Sequence, residues 1–241
     1  FCRPGVHEYE LEAELLYAFT RNGSRAPAYS SIVAAGNNAC ILHYNTNNAA
    51  IEEGDLVLID AGCEYEYYAS DITRTFPASG KFSDEQKAIY EIVLKAQEAA
   101  IEEIKPGALW DAPHNASVKV ITQGLIKLGL LQGKLSQLIK TEAYKAFYMH
   151  RVGHWIGMDV HDVGDYKIDG TWRVLEAGMV TTIEPGIYIA PDNTDVPEQW
   201  RGIGVRIEDD VLVTKSGYRI LSTGVPKTVS EIEAFMSETT H

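Results

Sequence analysis

The chain reads as an α+β protein with a mostly antiparallel, curved sheet and flanking helices, arranged as two related halves. Three observations lead there. Apolar runs of strand length arrive in hairpin-like groups with helical stretches between the groups, rather than in strict β-α-β alternation. A ten-residue segment recurs: Ile51-Glu52-Glu53-Gly54-Asp55-Leu56-Val57-Leu58-Ile59-Asp60 aligns without gaps on Leu175-Glu176-Ala177-Gly178-Met179-Val180-Thr181-Thr182-Ile183-Glu184, with Glu, Gly and Ile identical and an acid closing both. A basic-Pro-Gly turn stands before a helix twice, at Arg3-Pro4-Gly5 and Lys105-Pro106-Gly107. The expected halves are residues 1–104 and 105–241 of one domain, related by a pseudo-twofold that points each strand-end acid to the shared middle.

The elements follow in order. Residues 7–22 carry apolar side chains at helical spacing, and Gly23 stops the helix. Residues 29–33 and 40–44 read as short strands. Residues 55–60 form an apolar run and 67–76 are rich in β-formers, so Gly62 between them predicts a hairpin. Ser83 and Gln86 make a capping box that opens a helix reaching 104, before the Pro106-Gly107 break. A further helix covers 113–128. Short strands are expected at 147–149, 180–184, 187–190, 203–213 and 218–220, and a polar helix from Val229 closes the chain.

Composition narrows the function classes. The 241 residues carry a net charge of −13 and no Lys/Arg cluster, which argues against nucleic acid as a partner. No apolar run approaches the roughly 18 residues of a membrane span. Three cysteines without a C-x-x-C pattern suit a reducing, cytoplasmic setting, with Cys40 and Cys63 expected to be buried thiols.

Five residues stand out as metal-ligand candidates: Asp60, Asp71, His154, Glu184 and Glu208. Asp60 ends one strand and Asp71 lies in the next, so a hairpin sets the two acids side by side. Paired buried carboxylates repel unless a cation sits between them. Glu184 is the counterpart of Asp60 in the repeat. Three of the seven histidines, His150, His154 and His161, fall within twelve residues among glycines that argue against a helix. His43 stands apart. Four carboxylates and a neutral imidazole balance two divalent cations, and oxygen-rich ligation favours a hard ion such as Mn²⁺.

Residues 150–162 carry the pattern His-x-x-Gly-His-x-Ile-Gly-x-x-Val-His-Asp, and the order Asp60, Asp71, His154, Glu184, Glu208 surrounds it. In this the chain resembles the proline-specific metallopeptidases. Over its whole length it is similar to the catalytic domain of the bacterial aminopeptidase P (Xaa-Pro aminopeptidase) family. The resemblance implies the pita-bread fold shared with prolidase, methionine aminopeptidase and creatinase. It implies two divalent metal ions and a metal-dependent exopeptidase that releases the first residue from peptides with proline second. Asp71 and Glu208 would bridge the metals, Asp60 would complete one position, and His154 with Glu184 the other. A hydroxide bridging the metals would attack, and Glu184 would handle the proton. His161 would steady the developing oxyanion, and His43 would sit by the leaving prolyl nitrogen. His150 would line the pocket, and Arg206 with Tyr188 would orient Asp60. The family's N-terminal domain is expected to be absent from this chain, and the full-length protein to be a dimer or tetramer. Arg151 departs from the glycine common among relatives. The alternatives are a prolidase acting on Xaa-Pro dipeptides and, in another class, a metal-free binding module.

Overall fold

A computed structural model describes residues 1–238. The first half runs α1 (Glu8–Arg21), β1 (Ala26–Pro27), β2 (Ile32–Ala35), β3 (Leu56–Ala61), β4 (Cys63–Tyr65), β5 (Tyr68–Ala69), β6 (Ile72–Pro77) and α2 (Asp84–Ile101). The second runs α3 (Ala112–Lys127), α4 (Leu135–Lys140), β7 (Lys167–Ile168), β8 (Thr171–Trp172), β9 (Val180–Ile183), β10 (Gly186–Tyr188), β11 (Gly204–Arg206), β12 (Asp209–Thr214), β13 (Gly217–Ile220) and α5 (Val229–Glu238). Every strand pair among the described residues is antiparallel. Three-stranded sheets of order β2-β3-β6 and β13-β12-β9 form the framework, with the β10-β11 pair beside them.

The repeated segments make matching local structure. The Gly5 N–H donates to the Ile51 carbonyl at 2.8 Å, and the Gly107 N–H to that of Leu175, the aligned residue, at 2.9 Å. Gly54 and Gly178 have φ of 87° and 99°, a left-handed turn that glycine adopts without a Cβ penalty. Each turn feeds the strand that carries an acid to the middle.

Helices α2 and α3 pack on one another and on the strands. Ile89, Tyr90 and Val93 of α2 and Ile121 and Leu125 of α3 are fully buried with Ile187, Val205 and Ile207 from the strand side. Each such side chain contributes roughly 1.5–3 kcal/mol. The capping box at Ser83 forms as expected, Gln86 N–H to Ser83 Oγ at 3.2 Å and Ser83 N–H to Gln86 Oε1 at 3.0 Å.

Several expectations need correction. The strand placed at 29–33 is Ile32–Ala35, which frees Tyr29 for another task. The one placed at 40–44 is absent: Gly36–Cys40 is a 3-10 turn, and the chain turns on through 41–44, where the Ile41 N–H donates to the Asn38 carbonyl and the Tyr44 N–H to that of Ile41. His43 therefore stands on irregular chain. Residues 147–149 form no strand; the Phe147 N–H donates back to the Tyr144 carbonyl at 2.9 Å, and its carbonyl accepts from the Tyr188 N–H at 2.8 Å. The run 203–213 breaks at Ile207–Glu208, where the chain leaves β10 and joins β9. β3 and β6 do pair, but the β4-β5 hairpin intervenes, so Gly62 is not their turn and Asp71 precedes β6. A Cβ on Gly62 would stand 1.6 Å from the Ser70 carbonyl oxygen, so only glycine lets these segments close. The long helix after Ser83 ends at Ile101 rather than 104. Cys40 and Cys63 are half-buried rather than buried, and all three cysteines are free thiols.

Candidate metal centre

The acids reach the middle by strand geometry. Asp60 lies in β3 opposite Thr73, and Asp71 stands one residue before β6. Glu184 follows β9 directly, and Glu208 precedes β12 directly. The four carboxylates and His154 line one cavity of about 900 Å³, together with His43, His150, His161 and Arg206. All five ligand candidates thus converge. Oxygens of Asp71 and Glu208 and a ring nitrogen of His154 lie within 4.8 Å of one another. His154 Nε2 is 3.3 Å from Asp71 Oδ2 and 3.4 Å from Glu184 Oε1.

Supporting bonds hold the ligands in place. His154 Nδ1–H donates to the Trp155 carbonyl at 3.0 Å, which turns Nε2 toward the acids. Gly153 allows this loop to lie on β9: a Cβ there would meet the Thr182 carbonyl oxygen at 1.9 Å. Arg206 Nη2 donates to Asp60 Oδ2 at 2.7 Å, its Nη1 to the Tyr188 hydroxyl at 3.0 Å and its Nε to Thr73 Oγ1 at 3.2 Å. The Tyr188 hydroxyl is 2.9 Å from His150 Nε2, and His150 Nδ1 is 2.7 Å from the Arg151 carbonyl. Burial, and then the Arg206 charge, push His150 down to about 3, so the ring is neutral. It then donates from Nδ1 to Arg151 and accepts from Tyr188 at Nε2. His161 meets His154 edge-on with ring centroids 4.4 Å apart.

Three supporting residues escaped the sequence reading. The Tyr29 hydroxyl lies 2.5 Å from both Asp60 Oδ1 and Asp71 Oδ1. Thr73 Oγ1 donates to Glu208 Oε2 at 2.6 Å. Asp210 Oδ2 accepts from the Asp71 N–H at 3.1 Å. Thr73 was open to detection, because it sits two residues from Asp71 and the period of a strand is two. Tyr29 carries no such signal.

The electrostatics favour a cation. Burial raises Glu208 far above the ordinary glutamate value, and the Asp71, Glu184 and Asp60 charges raise it further. Burial lifts Glu184 to about 7 against the pull of His154 and Arg206. It likewise raises Asp60, although Arg206 opposes it. Burial works against charge on Asp71 too, but hydrogen bonds from His154 and Tyr29 outweigh it and hold the group low. Burial disfavours a charged His154, yet Asp71 and Glu184 win and lift the ring to about 9. Within the cavity lining, Arg206 and Arg151 are the only guanidinium groups, and only Arg206 contacts one of the four acids. Glu208 is 1% exposed, and the one hydrogen bond its carboxylate accepts among the described residues comes from a neutral hydroxyl. A hard divalent ion is the group this donor set fits.

An antiparallel α+β fold of two related halves, with an oxygen-rich candidate cation site where they meet, is the pita-bread arrangement. The chain belongs to metallopeptidase family M24, whose profile matches residues 1–215. It is 55% identical over 235 residues to the Xaa-Pro aminopeptidase of Haemophilus influenzae, covering 98% of this chain and 54% of that protein. It is 52% identical to the Xaa-Pro aminopeptidase of Escherichia coli, covering 98% of this chain and 53% of that protein. The solved structure of Pseudomonas aeruginosa aminopeptidase PepP superposes with a TM-score of 0.98 at 67% identity, over 98% of this chain and 54% of that one. The chain therefore spans about half the length of the relatives it matches.

Proposed function

We propose that this chain is the catalytic part of a Xaa-Pro aminopeptidase, releasing the first residue from peptides whose second residue is proline. The observation that carries the reading is the convergence of Asp60, Asp71, His154, Glu184 and Glu208 on one cavity whose walls also hold His43, His150 and His161. The similarity to Xaa-Pro aminopeptidases over almost the whole chain supports it.

Asp71 and Glu208 would hold two divalent ions jointly, with Asp60 on one and His154 and Glu184 on the other. Mn²⁺ suits the oxygen-rich set. When bound, the ions supply Lewis acidity and make water a nucleophile near neutral pH. Glu184, on the cavity wall beside His154, takes the proton released on attack and returns it on collapse. His161, on the cavity wall, donates to the oxyanion. His43 stands on the same wall and serves the prolyl nitrogen, which in an Xaa-Pro bond carries no hydrogen. His150, locked neutral between Tyr188 and the Arg151 carbonyl, shapes the pocket. Arg206 fixes Asp60, whose second oxygen faces Tyr29.

The protein is one catalytic unit, its halves meeting at 104–105. It works in the cytoplasm, in keeping with its three free thiols, and no described helix is long and apolar enough to cross a membrane. The full-length protein is a homo-oligomer.

The test is release of free Xaa from a tripeptide Xaa-Pro-Yaa and a dipeptide Xaa-Pro by metal-stripped protein, with and without Mn²⁺. Mn²⁺-dependent release favouring the tripeptide supports the reading. A dipeptide preference moves the assignment to prolidase. Silence on both from a full-length protein removes it.

A further inference from the structure

A second cavity, of about 470 Å³, lies beside the metal centre, lined by both Trp155 and Asp210. Its size is that of a small-molecule site. Three residues of its lining each carry a buried polar atom with no hydrogen-bond partner among the described residues: Trp155 Nε1, Arg173 Nε and Asp210 Oδ1. Trp155 and Asp210 are 7% and 6% exposed. Buried polar atoms left without partners are uncommon, and each costs about 1–3 kcal/mol.

The three atoms differ in kind. Trp155 Nε1 and Arg173 Nε are donors, and the positive Arg173 guanidinium keeps Nε free while its Nη2 lies 3.8 Å from Glu176 Oε1. Asp210 Oδ1 is an acceptor on a carboxylate. Asp162 adds a second carboxylate to the lining, with Oδ1 accepting from the Val163 N–H at 3.0 Å. Around them stand apolar groups, with Val163 and Leu221 at the exposed rim and Met179 deeper. A ligand that satisfies all of them has a cationic donor group, an anionic acceptor group and an apolar side chain.

We propose that this cavity is a binding site for a free apolar α-amino acid. The ammonium meets Asp210 and Asp162, the carboxylate meets Arg173 Nε and Trp155 Nε1, and the side chain lies against Val163, Met179 and Leu221. The site is tied to the metal centre at two points. The Asp71 N–H donates to Asp210 Oδ2, and His154 Nδ1 donates to the Trp155 carbonyl. Such an amino acid is also what the reaction proposed above releases. That last connection rests on the peptidase reading, and the binding site does not.

The experiment follows the Trp155 indole N–H by ¹H–¹⁵N NMR in zinc-loaded protein, its signal assigned with Trp155→Phe, during titration with L-leucine. L-leucine shifts the signal saturably. Leucinamide, without the carboxylate, and 4-methylpentanoate, without the amine, each bind about tenfold or more weakly, as does L-leucine to Arg173→Met. The proposal is overturned if L-leucine leaves the signal unmoved. Equal binding of either analogue, or unchanged affinity in a folded Arg173→Met, overturns it as well. The analogue series is read on the unsubstituted protein, and Trp155→Phe serves only to assign the signal. No turnover is measured, so a negative result leaves the peptidase reading standing, and an inactive protein still reports on this site.

Discussion

Replacing Arg74 by methionine tests the strut beneath the metal centre. All five guanidinium N–H groups are used: Nη2 on Asp209 Oδ1 at 2.7 Å and the Val225 carbonyl, Nη1 on the Thr73 and Glu208 carbonyls, and Nε on the Pro226 carbonyl. Asp209 is fully buried. The substitution leaves its carboxylate with Lys227 Nζ at 2.8 Å and the neutral donors Gln97 and Ser222. Removing one partner of a buried pair costs about 3–5 kcal/mol, and the remaining lysine sets the lower end, about 3 kcal/mol. For a chain of this size that lowers Tm by about 6–12 °C. Burial raises the Asp209 pKa, but Arg74, Lys227 and Ser222 outweigh it and hold the group below the ordinary aspartate value. A depressed carboxylate contributes stability that is complete above its unfolded pKa, about 3.9. That stability is lost as pH falls through the folded value. The gap between wild type and Arg74→Met should therefore be widest near pH 7 and narrow below pH 4. Thermal denaturation of both metal-stripped proteins at pH 7 and pH 3 measures it. A loss under about 2 °C at pH 7, or a gap of equal size at both pH values, refutes the reasoning.

Four other outcomes follow from the site. Glu184→Gln should lower turnover of an Xaa-Pro-Yaa peptide by about 10²–10⁴-fold, and near-normal activity would remove Glu184 from proton transfer. His43→Ala should lower kcat of the proposed peptidase without loss of bound metal, since among the described residues no hydrogen bond or ion pair joins it to the five ligand candidates; a large loss of metal by elemental analysis would make His43 structural. Metal binding at pH 7.5 should release protons, because His154, lifted to about 9, must bind as a neutral ring; calorimetry in buffers of different ionisation enthalpy reads the number, and zero contradicts the described electrostatics. Gly153→Ala should cost about 1–3 kcal/mol and lower metal occupancy, because a methyl at 1.9 Å from the Thr182 oxygen pushes His154 off β9. Retained Tm and metal content would show that the loop can give.

Local chemistry wrote much of this protein into its sequence. The capping box at Ser83, the glycine turns at Gly54 and Gly178 and the repeated strand with its terminal acid depend on residues within a few positions, so pattern alone reveals them. The same short-range rules overreached where long-range bonds decide. The 40–44 run forms no strand and instead follows the 3-10 turn Gly36–Cys40, and 203–213 changes partners at Glu208. Five ligand candidates could be named from order and context, but order says nothing of convergence. Tyr29 lies 31 and 42 residues from the acids it touches, and Thr73 lies 135 from Glu208. Residue types and turns follow from the chain's own neighbours. Which buried charge finds which partner follows only from folding, because an unpaired carboxylate is costly and its partner is set by the distance across the fold.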